Sequence, residues 1–119
     1  MCSASSPRSR ERASLMICLD ASAGPILVVG GGATGLRKIR TLLEAGMDVT
    51  LVSPEIVPEL EAIVREGGVA WERRTAERRD FEEHAFALLA LSRSESEAVL
   101  HLAEGTRCLV NCCGAGELG

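Results

Sequence analysis

Three glycines separate a short apolar run from an amphipathic segment in the stretch ILVVGGGATGLRKIRTLLEAGMDVTLVSPE, which runs from Ile26 to Glu55. The run ILVV is too short for a helix and rich in β-branched residues, so it predicts a buried strand. Apolar residues then recur at spacings of three and four as far as Gly46, which predicts a helix over residues 33–45. The glycines therefore lie where a strand turns into a helix.

The glycine pattern at this junction is G-x-G-x-x-G, which is typical of a dinucleotide-binding turn. The first glycine allows a tight turn, the second lets a pyrophosphate approach the backbone, and the third lets helix and strand pack closely. Backbone N–H groups at the start of the helix then face the phosphates. The alternative is a plain glycine turn, but the flanking strand, helix and second strand favour a dinucleotide. The predicted cofactor-binding residues are Gly30, Gly31, Gly32, Ala33, Thr34 and Gly35.

The segment DVTLVSPE predicts a second strand that ends near Ser53, Pro54 and Glu55, which we expect at the adenosine end of the cofactor. An acidic residue usually binds the adenosine ribose here, and a serine hydroxyl is a weaker substitute. Glu55 is a second candidate for the ribose, from the next loop. No arginine immediately follows the strand to bind a 2′-phosphate, so NAD is favoured over NADP. Alternatively, Ser53 simply begins the turn before the proline.

Strand and helix patterns alternate along the rest of the chain. This alternation predicts an α/β, Rossmann-like NAD(P)-binding fold, in which a parallel sheet carries helices on both faces. We expect a dinucleotide-binding domain over residues 15–119 and a disordered, serine- and arginine-rich tail over residues 1–14. The further predicted strands are 15–19 (at a sheet edge), 69–74, 86–91 and 108–112, and the further predicted helices are 56–65 and 95–104.

The composition argues against several classes of function. A net charge of −4 over 119 residues disfavours a nucleic-acid-binding surface. No apolar run reaches the roughly 20 residues of a membrane span, so we expect no membrane association. Five cysteines without a secretory signal indicate reduced thiols in a cytoplasmic protein. The cysteines lack the four-ligand spacing of a zinc site, so we expect buried thiols and no metal.

The other titratable residues have simple explanations. Neither His84 nor His101 has a partner at a catalytic or metal-binding spacing, so we expect surface or hydrogen-bonded histidines. The arginines at the end of the third predicted strand and in the loop after it could bind a ligand with several carboxylates, because guanidinium groups form forked hydrogen bonds with them. Interleaved acidic residues favour a solvated strand end and loop instead. These arginines are Arg73, Arg74, Arg78 and Arg79.

The block from the glycines to Ser-Pro resembles the N-terminal module of siroheme synthase, the precorrin-2 dehydrogenase/sirohydrochlorin ferrochelatase family. Members typically carry a triple glycine, an Arg-Lys pair one turn later, an LL-x-x-G-A-x-V-T segment and a Ser-Pro end. The resemblance extends over most of residues 15–111. The residues that match are Arg37, Lys38, Leu42, Leu43, Gly46, Val49, Thr50, Ser53 and Pro54.

This resemblance implies a cytosolic enzyme of siroheme biosynthesis. Such an enzyme transfers a hydride from precorrin-2, a tetrapyrrole, to NAD and so forms sirohydrochlorin, and many relatives also insert ferrous iron. By the same resemblance, Ala33 and Thr34 would lie against the pyrophosphate, with Pro54 and Glu55 near the adenosine.

The sequence departs from the family pattern in three places. Leu91 and Ser92 replace an Ala-Thr pair after the fourth strand, and Gly114 replaces an aspartate implied to be the general base, so the catalytic residues are unknown. The chain also ends at Gly119, before the family's dimerisation segment and helical region. A homodimer and a partner chain remain open as ways to complete the substrate cleft. We therefore expect NAD binding with slow turnover of precorrin-2, or alternatively a non-catalytic NAD-binding or assembly module.

Overall fold

The fold is described from a computed structural model of the chain, which defines residues 24–113. The predicted tail at 1–14, the predicted edge strand at 15–19 and Gly114 lie outside these residues. Strands and helices alternate as the sequence predicts. The elements are β1 (Ile26–Val29), α1 (Ala33–Glu44), β2 (Val49–Val52), α2 (Pro58–Arg65), β3 (Val69–Glu72), α3 (Arg78–Glu83), β4 (Phe86–Leu89), α4 (Arg93–Ala103) and β5 (Leu109–Cys112).

The strands form one sheet in the order β3-β2-β1-β4-β5, and every neighbouring pair is parallel. All strands therefore end at the same side of the sheet, which we call the carboxyl edge. The chain proceeds from β1 outward to β2 and β3, and then returns to the other side of β1 to form β4 and β5. In open parallel sheets, ligands bind in the crevice where the strand order reverses, which here lies between β1 and β4.

Two hydrophobic clusters cover the two faces of the sheet, which confirms the prediction of helices on both faces. On one face, Ile39 of α1 and Leu60 of α2 pack with Ile26 and Val28 of β1. On the other face, Phe81 of α3 packs with alternate residues of β1 and β4. The side chains of β1 are buried on both sides, because this strand is central and parallel.

The structure corrects the predicted bounds of several elements and adds one helix. Strand β3 ends at Glu72 instead of residue 74, β4 ends at Leu89 instead of residue 91, and α4 spans Arg93–Ala103 instead of 95–104. Helix α2 begins at Pro58 instead of residue 56, because a proline fits the first turn, where its missing N–H has no helical partner. Residues 78–83 form helix α3, although we expected a loop there. This short, charged helix buries only Asp80 and Phe81, so it carries no apolar periodicity that a sequence pattern can detect. Between residues 24 and 113, no helix is long and apolar enough to span a membrane.

Candidate functional site

The glycine turn, residues 30–32, lies at the carboxyl edge between β1 and α1, where the motif predicts a cofactor. Gly30 has φ +119°, and a Cβ atom there would collide with the backbone oxygen of Ala90, which follows β4. A Cβ atom on Gly35 would collide with the backbone oxygen of Gly30. These two glycines therefore allow close backbone contacts within the fold.

Gly31 has a different role, which the motif does not reveal. A Cβ atom on Gly31 would collide with the backbone oxygen of Glu55, and its carbonyl accepts a hydrogen bond from the Val57 N–H at 2.9 Å. The β2–α2 loop, residues 53–57, is thus docked directly onto the glycine turn. This contact joins the predicted pyrophosphate site to the predicted adenosine site.

Gly32 faces open space. It is exposed, and a Cβ atom at this position would have no heavy atom within 4 Å. Gly32 is also the N-cap of α1, which has no side-chain cap and no acidic residue in its first turn. The first N–H groups of a helix have no intrahelical partners and carry partial positive charge. The space and the chemistry at this helix terminus therefore fit a phosphate group.

The β2–α2 loop is held by its own hydrogen bonds. The buried Ser53 hydroxyl donates to the Glu55 carbonyl oxygen at 2.6 Å, and the Trp71 indole N–H donates to the Ser53 carbonyl oxygen at 2.9 Å. The hydrogen bond from the Ser53 hydroxyl therefore spans Pro54 and stabilises the turn around it. Glu55 is exposed, so its carboxylate is the acidic group that this loop presents to solvent.

The segment after β4 lies beside the glycine turn. The Leu91 side chain approaches within 3.2 Å of the position that a Cβ atom on Gly30 would take. The Ser92 hydroxyl oxygen accepts a hydrogen bond from the Glu95 N–H at 3.3 Å, and the Glu95 carboxylate accepts one from the Ser92 N–H at 3.2 Å. Ser92 is therefore the N-cap of α4, in a reciprocal capping box with Glu95.

Arg74 and Asp80 form a two-pronged ion pair between the end of β3 and helix α3. The Arg74 guanidinium donates to the two Asp80 carboxylate oxygens at 2.9 and 2.7 Å, and the Glu77 N–H donates to Asp80 at 2.7 Å. Burial by itself would raise the pKa of Asp80, but these hydrogen bonds outweigh burial and lower it. The hydrogen bonds with Asp80 in turn raise the pKa of Arg74. This pair stabilises the fold and is largely buried, whereas the sequence predicted a solvated strand end and loop here.

The remaining arginines of this group differ in their partners. Arg78 pairs with Glu82 at 3.1 Å, and Arg79 pairs with Glu77 at 2.9 Å. The interleaved acidic residues thus bind these arginines, as the favoured interpretation of the sequence expects. Arg73 forms no ion pair within residues 24–113, and its guanidinium carbon lies 5.7 Å from the centre of the Trp71 ring.

The histidines and cysteines form no shared site among residues 24–113. His84 Nδ1 lies 2.7 Å from the Asp80 carbonyl oxygen, and His101 Nδ1 lies 3.2 Å from Glu104. Each histidine lies near the end of a helix that leads to the start of a strand, so both are far from the carboxyl edge. Of the cysteines within these residues Cys113 is buried, but Cys108 is half-buried and Cys112 is exposed, so the expectation of buried thiols was wrong for the last two. Partial desolvation raises the pKa of Cys108 to about 11 and also raises the pKa of Cys112. No group of potential metal ligands occurs within the described residues.

Comparisons with known proteins agree with this architecture. Residues 17–119 match the protein family described as "Putative NAD(P)-binding". A precorrin-2 dehydrogenase of Bacillus subtilis is 33% identical over 94 residues, which cover 79% of this chain and 58% of that protein. A siroheme synthase of Actinobacillus pleuropneumoniae is 34% identical over 98 residues, which cover 82% of this chain and 20% of that protein. The solved structure of SirC, a precorrin-2 dehydrogenase, matches with a TM-score of 0.66 and 26% identity over 78% of this chain and 46% of that one.

The fold and the glycine turn define an NAD(P)-binding domain of the Rossmann type. The chain belongs to the siroheme synthase N-terminal domain family, as the sequence resemblance predicted. It spans 58% of the Bacillus subtilis relative and 46% of the SirC chain. Both relatives therefore extend beyond the part that this chain matches.

Proposed function

We propose that the chain binds NAD at the carboxyl edge and is the dinucleotide-binding part of a precorrin-2 dehydrogenase of siroheme biosynthesis. The observation that carries this proposal is the N-terminus of α1, where Gly32 leaves open space and no side chain caps the helix. Membership of an NAD(P)-binding family indicates that the anion at this terminus is the pyrophosphate of a dinucleotide. The relatives named as precorrin-2 dehydrogenases indicate the substrate.

In this proposal each part of the carboxyl edge binds one part of NAD. The N–H groups of Ala33 and Thr34 bind the pyrophosphate at the end of α1. The loop that carries Ser53, Pro54 and Glu55 binds the adenosine ribose, and its contact with Gly31 sets its distance from the pyrophosphate. NAD would supply the hydride acceptor when bound. The chain's own residues would bind and orient this cofactor while precorrin-2 is oxidised to sirohydrochlorin.

A second candidate function is a non-catalytic NAD-binding or assembly module. One observation favours it. Within residues 24–113, both histidines lie near the ends of helices that lead to strand starts, away from the carboxyl edge. The β2–α2 loop, which contacts the glycine turn, carries one exposed carboxylate, that of Glu55. Rapid formation of NADH from NAD and precorrin-2 by the chain would exclude this second function.

The binding proposal is tested by Gly32→Val with NAD titrated calorimetrically. Gly32 has φ −93°, which valine tolerates, and its Cβ position is open, so the variant folds normally. The added side chain occupies the space assigned to the pyrophosphate. We expect the affinity for NAD to fall at least tenfold, because lost phosphate hydrogen bonds cost about 1.5–3 kcal/mol.

Gly68→Ala is the matched control for Gly32→Val. Gly68 is also exposed, but it lies before β3 at the opposite side of the sheet, and an added Cβ atom would make ordinary contacts of 3.6 Å or more. The Gly68→Ala variant should bind NAD with the same affinity as the unmodified chain. If Gly32→Val also bound NAD with unchanged affinity, the cofactor would not lie at the glycine turn.

A further inference from the structure

Arg73 is exposed and, unlike the other three arginines of this group, forms no ion pair with residues 24–113. Its guanidinium group instead lies over the Trp71 ring, at 5.7 Å from the ring centre. The indole N–H of Trp71 donates to the Ser53 carbonyl oxygen. These two contacts hold a positive charge next to the end of β2.

The pairing of β2 with β3 explains this position. Val52 and Glu72 are register partners at the ends of the two strands, and the Ser53 N–H donates to the Glu72 carbonyl oxygen at 3.2 Å. The residues that follow the two strands, Ser53 and Arg73, therefore lie near each other at the carboxyl edge. The arginine that the sequence lacks directly after β2 is thus supplied by the next strand.

The charges around the adenosine site then include both signs. Glu55 is exposed and forms no ion pair within residues 24–113, so its carboxylate repels a 2′-phosphate. A guanidinium group forms forked hydrogen bonds with phosphate and offsets that repulsion. Arg74 cannot do the same, because Asp80 already binds its guanidinium.

We propose that Arg73 is a specificity-determining residue that binds the 2′-phosphate of NADP, so that NADP is a second and weaker ligand of the NAD site. The inference rests on the proposed function, because it assigns the adenosine end of the same cofactor site. NAD remains the tighter ligand, since the carboxylate of Glu55 still opposes the added phosphate.

Calorimetric titration of Arg73→Gln with four ligands tests this proposal. NAD and ADP lack the 2′-phosphate, whereas NADP and adenosine 2′,5′-bisphosphate carry it. We expect the variant to bind NAD and ADP as the unmodified chain does, and to bind the two 2′-phosphorylated ligands about tenfold more weakly. Trp71 is the only tryptophan of the chain, so its fluorescence should respond more strongly to adenosine 2′,5′-bisphosphate than to ADP.

Two further variants control the experiment. Arg65→Gln removes another exposed arginine, at the end of α2 on the opposite side of the sheet, that forms no ion pair within residues 24–113; this variant should leave NADP affinity unchanged. Arg73→Lys keeps the charge without the fork and should weaken NADP binding by less than Arg73→Gln.

Four results would overturn the inference. If NAD binds but NADP does not, or if Arg73→Gln binds NADP as tightly as the unmodified chain does, the role assigned to Arg73 is wrong, and the proposed NAD site is unaffected. Tighter binding of NADP than of NAD would overturn the assigned preference. If none of the four ligands binds, both this inference and the proposed function are wrong.

Discussion

Helices α1 and α4 begin at the same edge of the sheet, after the neighbouring strands β1 and β4, but their N-termini are built differently. The N-terminus of α4 is complete within the chain, because Ser92 and Glu95 exchange hydrogen bonds in a capping box. The N-terminus of α1 begins at Gly32, which offers no side-chain cap and has no acidic residue in the first turn. The difference shows which helix terminus remains available to a ligand.

This contrast has an energetic meaning. A side-chain cap typically contributes about 1 kcal/mol, and a negative charge in the first turn contributes about 0.3–1 kcal/mol. Helix α4 has both, whereas α1 has neither. A bound pyrophosphate would supply the hydrogen-bond acceptors and the negative charge that α1 lacks. The hydrogen bonds and charge interactions that α1 lacks in the free chain would then form on binding and would contribute to the affinity for the cofactor.

The largest predicted effect concerns Gly30, which the fold needs because of its close contact with Ala90. Gly30→Ala adds a Cβ atom against the Ala90 carbonyl oxygen at a residue with positive φ. We expect a loss of about 4 kcal/mol in the free energy of unfolding, from the collision and the backbone strain together. Urea denaturation measures this loss. A loss as small in Gly30→Ala as in Gly68→Ala would show that the turn relaxes easily and that its geometry is not fixed.

The next prediction concerns the N-terminus of α3, which is also completed by the chain itself. Asp80→Ala removes the partner of Arg74 and of the Glu77 N–H, so we expect a loss of about 3 kcal/mol in the free energy of unfolding. Glu82→Ala breaks the exposed Arg78 pair and should cost less than about 1 kcal/mol. Equal losses in the two variants, measured by urea denaturation, would contradict the structural role of Asp80.

The ion pair of Asp80 also predicts a pH dependence. The folded chain lowers the pKa of Asp80, so its contribution to stability is complete above the unfolded value of about 3.9 and is lost as pH falls below it. Asp80→Ala should therefore lose less stability than the unmodified chain as pH falls below about 4. Parallel stability curves for the two proteins at low pH would contradict this assignment.

A smaller effect is expected at the capped terminus of α4. Ser92→Ala removes the side-chain acceptor for the Glu95 N–H, and the free energy of unfolding should fall by about 1 kcal/mol. The affinity for NAD should not change, because this terminus is completed by the chain and not by the ligand. Thermal unfolding and NAD titration of the same preparation measure both quantities. A clear loss of NAD affinity would show that Ser92 contacts the cofactor.

The sequence predicted those parts of the fold that depend on local patterns. The β-branched run at residues 26–29 and the apolar spacing of α1 are both local, and the structure contains both elements. Helix α3 could not be predicted, because it is stabilised by one aromatic residue and by the contact of Asp80 with Arg74, six residues away. Tertiary contacts rather than helical periodicity determine this segment.

The same limit applies to the candidate site. The motif predicts the glycine turn, but the docking of Gly31 on the β2–α2 loop depends on a contact with Glu55 that no spacing rule encodes. Likewise, Arg73 is twenty positions after Ser53 and becomes its neighbour only through the pairing of β2 with β3. Contacts between residues on different strands and loops were therefore missed, whereas the glycine turn itself follows from residues that are close in the sequence.

The most direct test of the account is an NMR titration of the chain with NAD, in which the backbone amides at the two helix termini are compared. We predict that the amide signals of Gly32, Ala33 and Thr34 shift most, because their N–H groups bind the pyrophosphate. The amide of Glu95 in the first turn of α4 should shift little, since the Ser92 hydroxyl already accepts its hydrogen bond. Larger shifts at the start of α4 than at the start of α1, or no shift at either terminus, would contradict the assignment of the cofactor site.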